Sequence, residues 1–112
     1  MNNLINSNVN KIIRGQSVSG NGNVVIGNNN SVRGNGNEIV GTLNTLKGTG
    51  SSIVGNFNTL KGSDSAVFGD LNSLKGAGSS IIGDFNSLSG SGSSIEGYSN
   101  YLKGIESNIQ GN

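Results

Sequence analysis

Residues 41–69 read GTLNTLKGTGSSIVGNFNTLKGSDSAVFG, which is four consecutive copies of the heptad G-x-x-[N/S]-x-[I/L/V]-x and the glycine of the next copy. The heptad extends in both directions, with a glycine at every seventh position from 20 to 111. A small polar residue follows three positions after each glycine up to 104, and an aliphatic residue follows five positions after it. From Leu46 onward, N-[T/S/Y]-L heptads alternate with S-x-[I/V] heptads, so the structural repeat is 14 residues.

The heptad predicts a β-strand and excludes a coiled coil. In a helix each of these glycines would cost roughly 1 kcal/mol, and a heptad with only one apolar position gives no coiled-coil seam. The residues around each aliphatic alternate with period two, so the small polar residue and the aliphatic point to the same side of a short strand. Glycine is expected at the corners, because it adopts positive φ and permits close approach of two backbones.

Two strands and two corners close one flattened coil, and coils stacked about 4.8 Å apart pair in parallel. The aliphatics then form two inward ladders. An unpaired inward Asn or Ser would cost about 1–3 kcal/mol, so we expect these side chains to bond to corner backbone and to the next coil. The sequence predicts an all-β, single-domain, two-sided parallel β-solenoid of about eight 14-residue coils, a rod on the order of 40 Å long.

The N-terminal part of the chain is less regular than the rest. Ile12 and Val18 are six residues apart instead of seven, so residues 1–19 are expected to form an irregular first coil or a cap, and residues 20–112 the regular solenoid. The heptad is still in phase at Gly111, which predicts an uncovered coil edge at this end.

Composition and charge restrict the function classes. The chain has neither histidine nor cysteine, so we expect no enzyme, no metal site and no cofactor. A net charge of +1 gives no general attraction to nucleic acid, and no apolar stretch is long enough for membrane insertion. No signal peptide is visible, which indicates a cytoplasmic protein unless the chain is exported by another route or lacks its signal.

The motif x-x-N-x-V-x-G, which is legible in residues 21–27 and 28–34, resembles the repeat of the grass ice-recrystallisation-inhibition proteins. It is also similar to the heads of YadA-type trimeric adhesins. The resemblance covers residues 16–112 and implies a left-handed β-roll. The two families use one scaffold differently, so the resemblance is specific for fold and unspecific for function. Neither the signal of the former nor the neck, coiled coil and anchor of the latter is visible in these 112 residues, so we expect the chain to depart from both families in these parts.

One predicted face carries an apolar column of outward side chains over five coils: Ile26, Val40, Val54, Phe68 and Ile82. A solvent-facing stripe of this length is unusual on a monomer, so we expect it to be buried between chains. Full burial of these side chains at about 1.5–3 kcal/mol each would give roughly 8–15 kcal/mol gross per chain. The other interpretation is that aliphatics simply favour strand structure.

A second group of large apolar residues follows the glycine of one corner by two positions, and we name it the corner stripe: Leu43, Phe57, Leu71 and Phe85. Such side chains either fold under the edge of the coil or meet a neighbouring molecule, and the sequence leaves both alternatives open.

The other face carries two columns. The hydroxyl column consists of Ser31, Thr45, Thr59, Ser73 and Ser87, and the cationic column of Arg33, Lys47, Lys61, Lys75 and Lys103. Stacked like charges are unfavourable, so the cations need solvent, acidic neighbours such as Asp70 and Asp84, or an anionic partner. The cationic column is therefore either a solubilising surface or a site for a polyanion.

These patterns predict a non-enzymatic structural protein that self-associates into a homo-oligomer or a filament, through its apolar stripes and its open coil edges. The alternatives are an ice-binding protein, which would use the hydroxyl column, and an adhesin or fibre-tip domain. Lysines beside the hydroxyl column and Tyr101 at its end make the possible ice face less flat.

Overall fold

The computed structural model describes residues 17–111 together with the backbone of Leu4–Ile5 and Lys11–Ile12. These residues contain no helix. They form strands separated by short corners: β1 Leu4–Ile5, β2 Lys11–Ile12, β3 Ser17–Ser19, β4 Val24–Asn28, β5 Ser31–Arg33, β6 Glu38–Thr42, β7 Thr45–Lys47, β8 Ser52–Asn56, β9 Thr59–Lys61, β10 Ala66–Phe68, β11 Ser73–Lys75, β12 Ser80–Asp84, β13 Ser87–Ser89, β14 Ser94–Tyr98, β15 Tyr101–Lys103 and β16 Asn108–Gly111.

The strands alternate between two eight-stranded parallel sheets, which confirms the two-sided β-solenoid. The odd-numbered strands form sheet A and the even-numbered strands form sheet B, each in chain order. Each regular coil contributes one strand to each sheet, and residues one 14-residue repeat apart lie above one another, as Leu60 and Leu74 do. The described residues make about seven coils. The molecule measures 39 × 20 × 13 Å, in agreement with the predicted rod length.

The predicted irregular segment, residues 1–19, lies largely outside the described residues. Its described strands continue the two sheets, since Ile5 pairs with Val18 and Ile12 pairs with Val25. The partners in each of these pairs are 13 residues apart in sequence, whereas the partners in later coils are 14 apart.

The core is a pair of aliphatic ladders between the sheets. One member of each strand in the regular coils is inward, and these side chains are at most 5% exposed: Val18, Val25, Val32, Ile39, Leu46, Ile53, Leu60, Val67, Leu74, Ile81, Leu88, Ile95 and Leu102. Ile109 is partly buried against the same cluster. The interior is one side chain deep on each side, so each coil depends on its neighbours for burial.

The inward polar residues are bonded to the next coil, as expected. Asn58 donates from Nδ2 to the carbonyl oxygen of Gly69 at 2.6 Å, and its Oδ1 accepts from the backbone N–H of Asn72 at 2.9 Å. Ser65 makes the same two bonds through its hydroxyl, which donates to the carbonyl oxygen of Gly76 at 3.3 Å and accepts from the backbone N–H of Ser79 at 3.2 Å. Within the described residues, no buried side-chain nitrogen or oxygen lacks a hydrogen-bond partner.

The first residue of each corner must be glycine because consecutive coils are in contact there. At Gly62, where φ is +154°, an added Cβ would lie 1.6 Å from the carbonyl oxygen of Gly76. Gly55 at the other corner would place its Cβ 1.8 Å from the Gly69 oxygen. The seven-residue glycine period is therefore set by backbone contact between coils at both corners.

Candidate functional surfaces

The described residues contain no group of three or more acidic residues that could hold a metal ion. No helix in this part of the chain is long and apolar enough to span a bilayer. The candidate sites are the outward columns, which the parallel register builds by placing equivalent residues of successive coils directly above one another.

The apolar column lies on sheet B, at the third position of each strand. Ile26, Val40 and Val54 are in direct register, and the column continues through Phe68 to Ile82. These side chains are 36–47% exposed, so stacking on one another covers more than half of each. The column ends in polar residues, because Glu96 and Gln110 occupy the next two positions.

The corner stripe lies on the corner that leads from sheet B to sheet A, here named corner 1. Leu43, Phe57, Leu71 and Phe85 are 47–61% exposed. Their side chains therefore do not fold under the edge of the coil, which was one of the two alternatives predicted from the sequence. The backbone N–H of Phe57 donates to the carbonyl oxygen of Thr42 in the preceding coil at 3.0 Å, which fixes the corner while the ring stays in solvent.

All four residues of the corner stripe adopt a left-handed backbone conformation, with φ between 56° and 60°. This conformation costs roughly 1–2 kcal/mol for a residue with a Cβ. At the opposite corner, here named corner 2, the equivalent position has the same conformation and usually carries glycine: Gly22, Gly36, Gly50, Gly78 and Gly92. The large residues of corner 1 therefore occupy positions where the backbone conformation favours glycine.

The apolar column and the corner stripe form one surface. In each of four consecutive coils, the corner residue follows the column residue by three positions, as in Val54 and Phe57 or Phe68 and Leu71. The two groups flank the same corner, so they cover one longitudinal edge of the rod on two sides. We name this surface, made of the nine residues of the two groups, the apolar edge.

The partial burial of the apolar column within the monomer lowers the hydrophobic free energy that the column can contribute to association. Because less than half of each side chain remains exposed, burial of the rest contributes about 3–6 kcal/mol per chain, less than the value expected from the sequence. The corner stripe adds about 3–6 kcal/mol by the same measure. Association costs about 4–15 kcal/mol in lost freedom. In a contact between two copies, the two groups together would give about 12–24 kcal/mol, which is above most of this range, whereas the column alone would give about 6–12 kcal/mol, which lies within it.

A ladder of polar side chains runs beside the corner stripe, one position before it. The Asp70 Oδ1 accepts from the backbone N–H of Asn56 at 2.8 Å, and the Asp84 Oδ1 accepts from the N–H of Asp70 at 2.7 Å. Asn56 does the same for Thr42. The heptad pattern did not predict this role for Asn56, Asp70 and Asp84. The signal was the repeated Asn, Thr or Asp directly after the glycine of this corner, residues with short side chains that accept bonds from nearby backbone.

The hydroxyl and cationic columns lie together on the outer face of sheet A. Thr59 pairs with Ser73, and Lys61 pairs with Lys75, so the hydroxyl column is continuous across the strands, and the cationic column is continuous from Arg33 to Lys75. Ser89 separates Lys75 from Lys103. A shallow groove of about 270 Å³ opens between them in the first described coils, with a lining of Ser17, Ser19, Ser31, Val32, Arg33, Thr45, Leu46 and Lys47.

The acidic neighbours that the sequence suggested for the cations lie elsewhere. Asp70 and Asp84 are at corner 1, before the strands of sheet A begin, and they bond to backbone there. Lys61 and Lys75 are the last residues of their strands, β9 and β11, on the side of corner 2. The width of the sheet separates the two groups.

No protein-family model and no curated protein matches this chain.

Proposed function

We propose that this chain is a non-enzymatic structural protein that associates laterally with copies of itself through the apolar edge. The observation that carries the proposal is the corner stripe, in which large apolar side chains are exposed at positions where the backbone favours glycine. About half of each of these side chains is exposed, and this exposed part neither stabilises the coil nor favours solubility. A contact outside the chain would cover it.

The energetics support a second copy of the chain as the partner. The apolar column spans five coils and the corner stripe spans four of them, so a neighbouring rod with the same repeat spacing matches the apolar edge coil for coil. End-to-end pairing of the terminal coils through their strand edges would extend such a homo-oligomer into a filament.

The test replaces two central residues of the apolar column by lysine, Val54→Lys with Phe68→Lys, and measures the mass of the assembly by light scattering and its shape by electron microscopy. We expect the wild type to assemble and the double variant to be monomeric, because two buried charges at the centre of the contact would be unpaired. The matched control is Ala77→Lys with Ser91→Lys, which adds the same charge at exposed positions of corner 2. A wild type that is monomeric at high micromolar concentration, or a double variant that assembles unchanged, contradicts the proposal.

The hydroxyl column supports ice binding as a second candidate. Its five hydroxyls are in register at the regular strand spacing on an outward face, which is an arrangement suited to ordered water. The resemblance to the grass ice-recrystallisation-inhibition proteins favours the same candidate. Thermal hysteresis and recrystallisation assays on the wild type and on Thr45→Lys with Thr59→Lys test it, and equal activity of the two proteins contradicts it. The similarity to YadA-type heads leaves an adhesin as a further alternative, without a surface of its own to support it.

A further inference from the structure

The small net charge of the chain conceals a strong separation of charge between its faces. Five of its seven cations lie on the outer face of sheet A, in the cationic column. All six acidic residues lie elsewhere: Glu38 and Glu96 on sheet B, Asp70 and Asp84 at corner 1, and Asp64 and Glu106 at corner 2. Sheet A therefore presents a purely cationic face on a nearly neutral protein.

Four of these cations are adjacent and in register. Arg33, Lys47, Lys61 and Lys75 follow one another in consecutive coils, about 4.8 Å apart. Like charges directly opposite across strands repel each other. A carboxylate lies at the adjacent corner position in only one of the four coils, that of Asp64, and the other three coils have glycine there. Nothing in the fold requires four cations in a row, since Ser19 and Ser89 occupy the same column.

Hydroxyls border the cations along their whole length. The groove between the columns has serine and threonine hydroxyls on one side, with Arg33 and Lys47 on the other. Such a surface offers charge to acidic groups and hydrogen-bond donors and acceptors to alcohol groups at the same time.

We infer that the outer face of sheet A binds a linear anionic polysaccharide, which lies along the two columns with its carboxylates or sulfates on the cationic column and its hydroxyls on the hydroxyl column. An extended sugar residue is close in length to one coil spacing, so its acidic groups recur in step with successive or alternate cations. This inference is independent of the proposed self-association, which uses the opposite sheet and corner 1.

Other polyanions fit the face less well. Proteins that bind single-stranded nucleic acid stack its bases on aromatic side chains, and Tyr101 at one end is the only aromatic residue on the described part of this face. A bound lipid bilayer would favour apolar side chains among the cations to enter the headgroup region, and the two outward columns have none in the coils of the four cations.

The experiment measures binding of the wild-type protein to alginate, which carries carboxylates, and to heparin, which carries sulfates. Neutral dextran, a thymidine oligonucleotide and phosphatidylserine vesicles serve as comparison probes. We expect binding to one or both acidic polysaccharides that weakens with salt, and none to dextran. If only one polysaccharide binds, the acidic group is identified. Tighter binding of the oligonucleotide or the vesicles, or equal binding of dextran, overturns the inference.

Three variants locate the site. Lys47→Ser, Lys61→Ser and Lys75→Ser together should lower the affinity roughly tenfold or more at low salt, because three charge contacts are lost. The same three positions changed to arginine should retain binding. The matched control, Ser52→Glu with Ser80→Glu and Ser94→Glu, lowers the net charge by the same amount on sheet B, in a column that already accepts Glu38. Circular dichroism establishes that each variant is folded. Equal losses in the serine variant and the glutamate control would show a response to net charge alone and would refute the site.

Discussion

The two corners of the coil have the same backbone and different side chains. Each begins with a glycine that contacts the next coil, and each places its third residue in the left-handed conformation, with φ of 57° at Phe57 and 62° at Gly78. Corner 2 mostly uses glycine at this third position, whereas corner 1 in its described coils never does. It carries Asn29 and Ser99 at its ends, with the corner stripe between them.

This difference separates what the fold requires from what the surface adds. The first glycine of each corner is required, because a Cβ would collide with backbone. The third position tolerates a side chain at a cost of roughly 1–2 kcal/mol, since it opens into solvent. The cost is absent at corner 2 wherever the third residue is glycine. At corner 1 it is present in four successive coils, where the third residue is a leucine or a phenylalanine. The fold does not require the large apolar residues of corner 1, which is why the proposed self-association is placed on the apolar edge.

The largest effect is expected inside the coil, where the two sides are alike. Ile53→Asp on sheet B and Leu74→Asp on sheet A each bury an unpaired carboxylate in a core one aliphatic deep on each side, and both variants should fail to fold. Circular dichroism measures the loss of strand structure. Ser52→Asp, at the neighbouring outward position, should remain folded. A native spectrum for either core variant would contradict the inward assignment and the equivalence of the two sides.

The next effect separates the two glycines of one corner. Gly62→Ala places a Cβ against the carbonyl of Gly76 and should destabilise the fold by more than about 3 kcal/mol, because backbone cannot move aside as a flexible side chain can. Gly78→Ala meets no atom within 4 Å and has only its φ of +62° to oppose it, so about 1–2 kcal/mol is expected. Urea denaturation gives both values. Equal losses would show that glycine serves conformation alone at both positions.

A smaller effect on stability is expected where glycine is introduced into corner 1, together with weaker self-association. Phe57→Gly with Leu71→Gly relieves left-handed strain and should change the free energy of unfolding of the monomer by between zero and about +1 kcal/mol per site. It should also weaken self-association, because two exposed apolar groups are removed. Sedimentation equilibrium and urea denaturation measure the two quantities. Ser99→Gly has the same strain relief without an apolar loss and should leave assembly unchanged. A double variant that assembles as strongly as the wild type would show that the corner stripe takes no part in self-association.

The smallest effect on folding is expected on sheet A. Lys47→Ser, Lys61→Ser and Lys75→Ser together remove exposed charges from solvent and should shift stability by no more than about 0.5 kcal/mol per site, in the stabilising direction. Thermal denaturation at low salt measures the shift. The control is Lys103→Ser, since the strand partner of Lys103 is Ser89 and no repulsion is relieved there. A large loss of stability in the triple variant would show that these lysines are paired in an interface.

The sequence alone determined the solenoid, because glycine, small polar and aliphatic residues recur at fixed positions of the heptad. Gly55 and Gly62, with Asn58 and Leu60 between them, repeat the same four roles in every coil, and period-two alternation decides which of these residues is inward. The outward columns follow from the same alternation, which is why the apolar column and the cationic column could be assigned before any coordinates. Parallel stacking allows no other register once the glycines must meet.

The tertiary structure decided what the pattern of residue types does not encode. The heptad position of Phe57 does not decide whether its ring folds under the edge or stands in solvent, since Gly78 holds the equivalent position with a similar φ. Only the stacked coils show that the ring is 54% exposed. The position of Asp70 relative to Lys75 depends on which corner each adjoins, so the acidic neighbour suggested by the sequence is in fact bonded to backbone across the sheet from the lysines. Local alternation fixes the side of a strand to which a residue points, whereas exposure and charge neighbours arise only when the coils are closed and stacked.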